Sequence, residues 1–471
     1  MLPLVEFPML VEHYEPFFKG VFSPAALIEF KRYISGLIVS ENKTIEGINR
    51  LMLVESRNQT SLNRLLTESP YEIEELNRAR LQMLESVAGT KIKPKGVLSI
   101  DDTLLTHYGQ EFEEIAKLYD PVSEGYVWAH DLVTLHYSDE MTDYPLLFGL
   151  WKPVNLEKLE QGMRAAGIQF KAEKEVWKET EPRKWRGYLL RAWKRRVKQY
   201  PQLSALYDTK LTMAQDLLQS WVRTHPDCDM PVTFDDWYTQ TEFCQFIDQT
   251  LHLPYVGTLS DNDQVNLKTG LTTLKEFANR LKQEHLAAVP QGQPPVFEKI
   301  TIPYKKVKED YYTYCQTHNL RNFGKQRLVI NYRQADLSDD PAFFISNRLM
   351  WQAAGITRIR RHRWPVEVYH EEGKEEGLDQ YQLRGFRPIQ RHVALVAVVY
   401  SLLRIAQQDL LFQRELQQQL EVKLEGSAAF WRRATQAQAL WCLGLFITAG
   451  LAQGQSFSKI LAPLIRAICY S

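Results

Sequence analysis

Two short apolar runs in this chain each stop at a pair of aspartates, VLSIDDTLL at 97–105 and MPVTFDDW at 230–237. Their β-branched and aromatic residues make each run a strand. A buried strand rarely ends in ionised carboxylates unless they are solvated or bind something. Successive strand residues point to opposite faces, so only one of Asp101 and Asp102 can share a site with a given partner. Two more strand-like stretches, YVWAHDLVTLHY at 126–137 and YPLLFGLWKP at 144–153, flank the polar turn SDEMTD. LPYVGTLS at 253–260 adds another strand, after the helix-prone residues that follow Asp236. The order strand-strand-strand-helix-strand-helix-strand predicts a mixed α/β fold with a central sheet, and carboxylates close its first and fourth strands.

A third carboxylate comes from RHRWPVEVYHEEGK, residues 361–374. Pro365 suits the first turn of a helix, where its missing N–H costs nothing. Glu367, His370, Glu371 and Lys374 then share one face, with Glu367 at the end where the helix dipole favours a carboxylate. Taken alone, these residues read more simply as a solvated face with an ion pair. The two aspartate-ended strands turn the reading toward a divalent cation held beside phosphates. Three carboxylates on separate elements are what two-metal phosphoryl transfer requires, and Mg²⁺ needs few protein ligands because it keeps several waters. Walker-type and dinucleotide glycine motifs are absent, which argues against nucleotide-driven chemistry.

The remaining segments set the domain plan. Residues 1–90 read as helices, with Ser23-Pro24 as a cap and further helices at 45–54, 61–66 and 71–84. Docking on DNA and capping the core are equal readings of that region. Within a core part at 91–260, the segment 155–207 holds RKWRGYLLRAWKRRVK at 183–198, with eight basic residues in sixteen and no acid. Interleaved Trp185, Tyr188 and Trp193 suit base or sugar stacking, and Arg191, Arg195 and Arg196 suit phosphates. A solvated amphipathic helix is the competing reading.

Residues 261–350 read as an insertion, irregular to about 325, with strands at 299–303, 326–332 and 342–346. The core resumes at 351–407, where LRGFRPIQRHVALVAVVYSLLRIAQ supplies an apolar helix for the sheet, and 408–471 is a helical tail suited to oligomerisation. With 57 basic and 57 acidic residues the net charge is zero, so any polyanion signal is local. Five scattered cysteines, an N-terminus without a basic-then-apolar leader, and apolar runs (392–403, 439–452) too short for a bilayer point to a cytoplasmic protein with no membrane partner.

SIDDT at 99–103, TFDDWY at 233–238, FFISNR at 343–348, and RWPVE with Lys374 and GLDQYQLRGF at 377–386 together resemble a DDE transposase of a bacterial insertion sequence. Arg363, Glu367 and Lys374 reproduce that family's R-x3-E-x6-K spacing, and GLIVSENKTIEGI at 36–48 is similar to the helical end-recognition region of one branch. The resemblance implies an RNase H-like mixed-sheet core with a partly β insertion, a helical N-terminal domain and a helical C-terminal tail. It implies metal-activated cleavage at element ends, directly or through a hairpin, and attack of the freed 3′-OH on target DNA. Asp102, Asp235 and Glu367 would bind two Mg²⁺ ions, replaceable by Mn²⁺; Asp102 is preferred because the family's Asp directly precedes Thr. Asp235 is preferred because it ends the strand. Arg363 and Lys374 would hold phosphates. Arg360 stands where the family usually has Tyr, and would put a charge on a phosphate in place of a hydroxyl. Double-stranded DNA and a homodimer on that DNA are the implied partners. A non-cleaving DNA-binding relative and a general RNase H-like nuclease are the alternatives. The intact carboxylate set opposes the first, and the long insertion opposes the second.

Overall fold

The computed structural model describes residues 3–268, 270–305 and 307–469. Runs of β-branched and aromatic residues form β1 (Val97–His107), β2 (Ala116–Asp120), β3 (Gly125–Ser138), β4 (Asp143–Trp151), β5 (Val232–Phe234) and β6 (Tyr255–Leu259). β3 pairs antiparallel with β1, β2 and β4, while β1, β5 and β6 run parallel to one another. This order is the mixed central sheet that the strand pattern predicts, and it fits the RNase H-like core that the resemblance implies. β5 has three residues, so its C-terminal end lies level with the middle of the long β1.

The insertion does not form a separate body. β7 (Gln264–Leu267), β8 (Gly270–Thr273), β9 (Glu298–Tyr304), β10 (Val307–Leu320), β11 (Gly324–Tyr332) and β12 (Ala342–Ser346) extend the same sheet beyond β6, through β12. The expectation of an irregular stretch to about 325 is therefore wrong. It contains β7, β8, a helix at Leu274–Ala288, β9 and the 14-residue β10. Polar residues on the solvent side of β10 mask its strand character, since only Tyr311, Thr313, Tyr314 and Leu320 of its fourteen residues are buried. The helix does carry a legible start signal, a capping box between Thr273 and Glu276.

The residues of β1 divide by parity between two layers. Val97 joins Ile356 and Ile359 in a cluster beneath the helix Ala353–Arg361, and Asp101 meets the next helix, Trp364–Glu375. Leu98 and Ile100 lie in the main core with Leu218 and Trp221 of the helix Lys210–Thr224, and Asp102 meets its first residue. Asp101 and Asp102 thus serve different faces of one sheet.

The N-terminal helices Pro24–Val39, Gln59–Thr67 and Ile73–Glu85 pack around Phe386–Ala406, nearly all of which is buried, and Ile45–Leu51 packs on the first two of them. Ser23 caps the first as expected, accepting from the Ala26 N–H at 3.3 Å. Arg80 donates to Ser401 Oγ at 2.9 Å and to the Pro145 carbonyl at 2.7 Å, and the Arg391 guanidinium donates to the carbonyls of Leu66, Ser69 and Tyr71. Buried guanidiniums here satisfy carbonyls at loop and helix ends, which ties this region into the main core.

The apolar runs expected to be too short for a bilayer lie in longer helices. Phe386–Ala406 is core; Ala429–Ala452 is long and apolar enough to cross a membrane, and 28% of its apolar window is buried. Its first half is anchored by buried Trp431, Ala434 and Gln438, whereas Leu445, Phe446 and Leu451 are exposed.

Candidate active site

Asp235 directly follows β5, and the parallel register pairs Ile100 with Phe234. The next residue on each strand is an aspartate, so Asp101 and Asp235 stand side by side on one face. Asp101 Oδ2 accepts from Arg363 Nη1 at 2.8 Å, and Arg363 Nη2 pairs with Glu367 Oε1 one turn along. The Arg363 guanidinium thereby joins Asp101 to Glu367. Asp235 Oδ1 accepts the Tyr238 N–H at 3.1 Å, which closes the chain into a turn directly after the strand. Pro365 sits in the first turn of Trp364–Glu375, and Glu367 follows in the same turn.

Asp102, the aspartate expected in this site, is turned away from it. Its carboxylate accepts the Tyr238 hydroxyl at 2.7 Å and Lys210 Nζ at 2.8 Å, on the face opposite Arg363 and Glu367. The correction is one of strand parity: proximity to Thr103 does not decide which side chain shares a face with Asp235. Tyr238, Lys210 and Asp131 do not emerge as site residues from the sequence, and Asp101 enters it only as the member of its pair that is not preferred. Only the β1–β5 register singles out Asp101.

Burial pushes Asp101 up to about 8; Arg363 opposes that shift, while neighbouring Asp235 and Asp102 add to it. Asp235 is also raised by burial, against the Tyr238 N–H and Arg363. Among the described residues, no three His, Cys, Asp or Glu side chains converge closely enough to hold a metal ion. Two carboxylates converge, and the third is one guanidinium away. Their donor chemistry fits a hard divalent cation, because two adjacent buried carboxylates share a single guanidinium, Arg363, and carboxylate oxygens are what Mg²⁺ takes.

Arg360 lies beside this site on the preceding helix. Its Nε is buried without a partner, and the guanidinium stands 5.5 Å from the Phe344 ring centroid. Burial and adjacent Arg363 bring it down to about 10. With Arg333, Arg363 and Trp364 it lines a cavity of about 330 Å³. Among the described residues Arg360 makes no ion pair, and the cavity it lines also carries Asp339 and Asp340. Lys374 is half-exposed two turns beyond Glu367, where its charge acts on Asp120 and Asp379. His370, on the face expected to be functional, is buried against Thr134 Oγ1 at 3.1 Å and is a packing residue.

The basic segment forms a helix, Pro182–Arg196, in a small lobe with its own core of Leu159, Met163, Trp185, Leu189, Trp193 and Leu203. The expectation that its tryptophans stack on bases is therefore wrong. Trp185 and Trp193 face inward, and Trp193 Nε1 donates to the Leu203 carbonyl at 2.9 Å. Arg191, Arg195 and Arg196 are exposed and make no ion pair; Arg195 donates to the Arg191 carbonyl and Arg196 to Gln199. A cationic face remains, without aromatic stacking.

Residues 16–270 match a family described as DDE superfamily endonuclease. No curated protein matches the chain.

Proposed function

The chain belongs to the DDE superfamily of endonucleases, and on that footing we propose that it is a transposase, cleaving DNA at the ends of an insertion sequence and joining them to target DNA. The observation that carries this reading is the meeting of Asp101 and Asp235 at adjacent strands, with Arg363 and Glu367 reaching them from one helix. Asp101 and Asp235 would hold Mg²⁺, or Mn²⁺ in its place, with Glu367 as the third carboxylate. Two such ions would activate the attacking oxygen and stabilise the leaving one.

The protein's own groups do the positioning. Arg360 and Arg363 line the cavity beside the carboxylates and would pair with backbone phosphates, bringing the scissile phosphorus to the attacking water. Lys374 would hold a phosphate further along the helix. The first step breaks a P–O bond, the water oxygen becoming part of the new 5′-phosphate and the freed 3′ oxygen taking a proton. The second is a transesterification, with that 3′-OH attacking a target phosphodiester and a target 3′-OH leaving. We further propose that the protein acts in the cytoplasm as a homodimer on DNA, since joining needs two ends held together.

The test is incubation with Mg²⁺ of duplexes carrying the element's terminal sequences. Strand cleavage followed by joining to a second duplex is expected. Cleavage that ignores the terminal sequences, with no joined product, would instead make it a general nuclease.

The lobe supplies affinity in this account. Each phosphate neutralised steepens the slope of log affinity against log salt by roughly 0.9. Replacing Arg191, Arg195 and Arg196 with Gln is expected to flatten that slope by about two to three. Cleavage of saturating DNA should change little, because the carboxylates are untouched. An unchanged salt slope in filter-binding or anisotropy titrations would make the helix merely solvated.

A further inference from the structure

Tyr238 touches both strand ends at once. Its N–H donates to Asp235 Oδ1 at 3.1 Å, and its hydroxyl donates to Asp102 Oδ1 at 2.7 Å. Asp102 is the neighbour of Asp101 on β1, so one residue spans from the turn after β5 to the back of β1. The other Asp102 oxygen accepts from Lys210 Nζ at 2.8 Å, and Lys210 also pairs with Asp131 Oδ2 on β3 at 3.0 Å. Tyr238 is fully buried, Asp131 nearly so, and Lys210 is sheltered beneath the Trp237 ring at 4.5 Å.

This cluster is not a second cation site, because the Lys210 ammonium already lies between its two carboxylates. It is also not a surface ion pair of negligible value: its groups are largely withdrawn from water, where unpaired charge is costly. Lys210 begins the helix Lys210–Thr224, so the cluster locks three elements behind the strands that carry Asp101 and Asp235.

We propose that Tyr238, Asp102 and Lys210 form a positioning relay that sets the spacing of Asp101 and Asp235 for a divalent metal ion. This rests on the reading of Asp101 and Asp235 as metal-binding residues. β5 pairs with β1 and β6 only as far as Phe234, so Asp235 lies one residue beyond the ladders that fix the strand. The phenol hydroxyl anchors the turn after β5 to β1, and Lys210 holds the Asp102 carboxylate oriented to accept it. Groups of this kind, one shell behind a metal ligand, typically change metal affinity or activity by 10–100-fold when removed.

The experiment is Mn²⁺ binding by the full-length protein without DNA, followed through the loss of the free-ion electron paramagnetic resonance signal. Tyr238→Phe, which keeps the ring and the N–H, is expected to weaken Mn²⁺ binding roughly tenfold or more. Its cleavage of end DNA should fall at limiting Mn²⁺ and recover substantially at saturating Mn²⁺, with the KM for DNA unchanged. Asp102→Ala should weaken Mn²⁺ binding more than Asp102→Asn, which retains an acceptor for the hydroxyl. Asp101→Asn serves as the control. If Asp101→Asn loses Mn²⁺ while Tyr238→Phe and Asp102→Ala both bind it as the unaltered protein does, the relay is refuted and the site stands. If Asp101→Asn also binds Mn²⁺ normally, the reading of the site itself is at fault. An Asp102→Asn variant as deficient as Asp101→Asn would make Asp102 a ligand and overturn the positioning role.

Discussion

Asp101→Asn is expected to reduce strand cleavage by about a thousandfold or more, and Asp102→Asn by roughly tenfold. The two residues are adjacent in sequence and equally acidic, so composition cannot separate them. Their surroundings do: Asp101 faces Arg363 and Asp235, whereas Asp102 is engaged by Tyr238 and Lys210. Replacing Asp101 removes a charge next to Asp235 at nearly constant shape. Replacing Asp102 leaves an amide oxygen for Tyr238 and leaves Asp131 as a partner for Lys210. Gel assays on end DNA at fixed Mg²⁺ read both rates, and gel shift reads affinity, which should be little changed because phosphate contacts supply most of it. The reverse ranking would restore Asp102 to the site and remove Asp101 from it.

Acid should unfold this protein through its buried histidines. Burial brings His136 and His370 down to about 3 and His392 to about 4, so each is neutral in the folded protein well below the pH at which it protonates when unfolded. Below about pH 6.5 the unfolded chain binds more protons than the native one, and stability falls as pH falls. By pH 5 each histidine costs about 2 kcal/mol. Asp101 and Glu376, raised to about 8 and about 7, and Asp131, raised by burial, work in the opposite sense over this range, while His107 and His362, brought down to about 4, add to the loss. The remainder is set against an ordinary folding free energy of about 5–15 kcal/mol. Urea titrations at pH 7, 6 and 5 should show the midpoint dropping steadily. A midpoint that holds or rises toward pH 5 would contradict the neutral assignment of these histidines.

The two apolar runs with their aspartates, the Glu367 helix and the apolar helix over 386–406 were legible because each carries a strong local signal: an apolar run meeting charge, a proline at a helix start, or an unbroken buried face. The first strand does not stop at its aspartates as expected; pairing with β3 carries it on to His107. What was not legible depended on pairing between distant segments. Asp101 and Asp102 are distinguished only by the register of β1 with β5, which no local pattern encodes. β10 was hidden because it presents glutamate, lysine and asparagine to solvent along with its buried tyrosines, and its partners lie on both sides in sequence. The tryptophans of 183–198 were misread because basic residues surround them, although helical spacing of Trp185, Leu189 and Trp193 describes an inward face. Tyr238 was passed over since a tyrosine beside a strand end usually reads as packing. Its role follows from two hydrogen bonds that join residues 136 positions apart and three positions apart.

The most direct test is a crystal structure of the protein with Mn²⁺ and an end duplex, with the ion located by anomalous scattering. The account predicts anomalous density between Asp101 and Asp235, with Glu367 close by and Asp102 still bound to Tyr238 and Lys210. Density coordinated by Asp102 in place of Asp101, or none near Asp235, would contradict it.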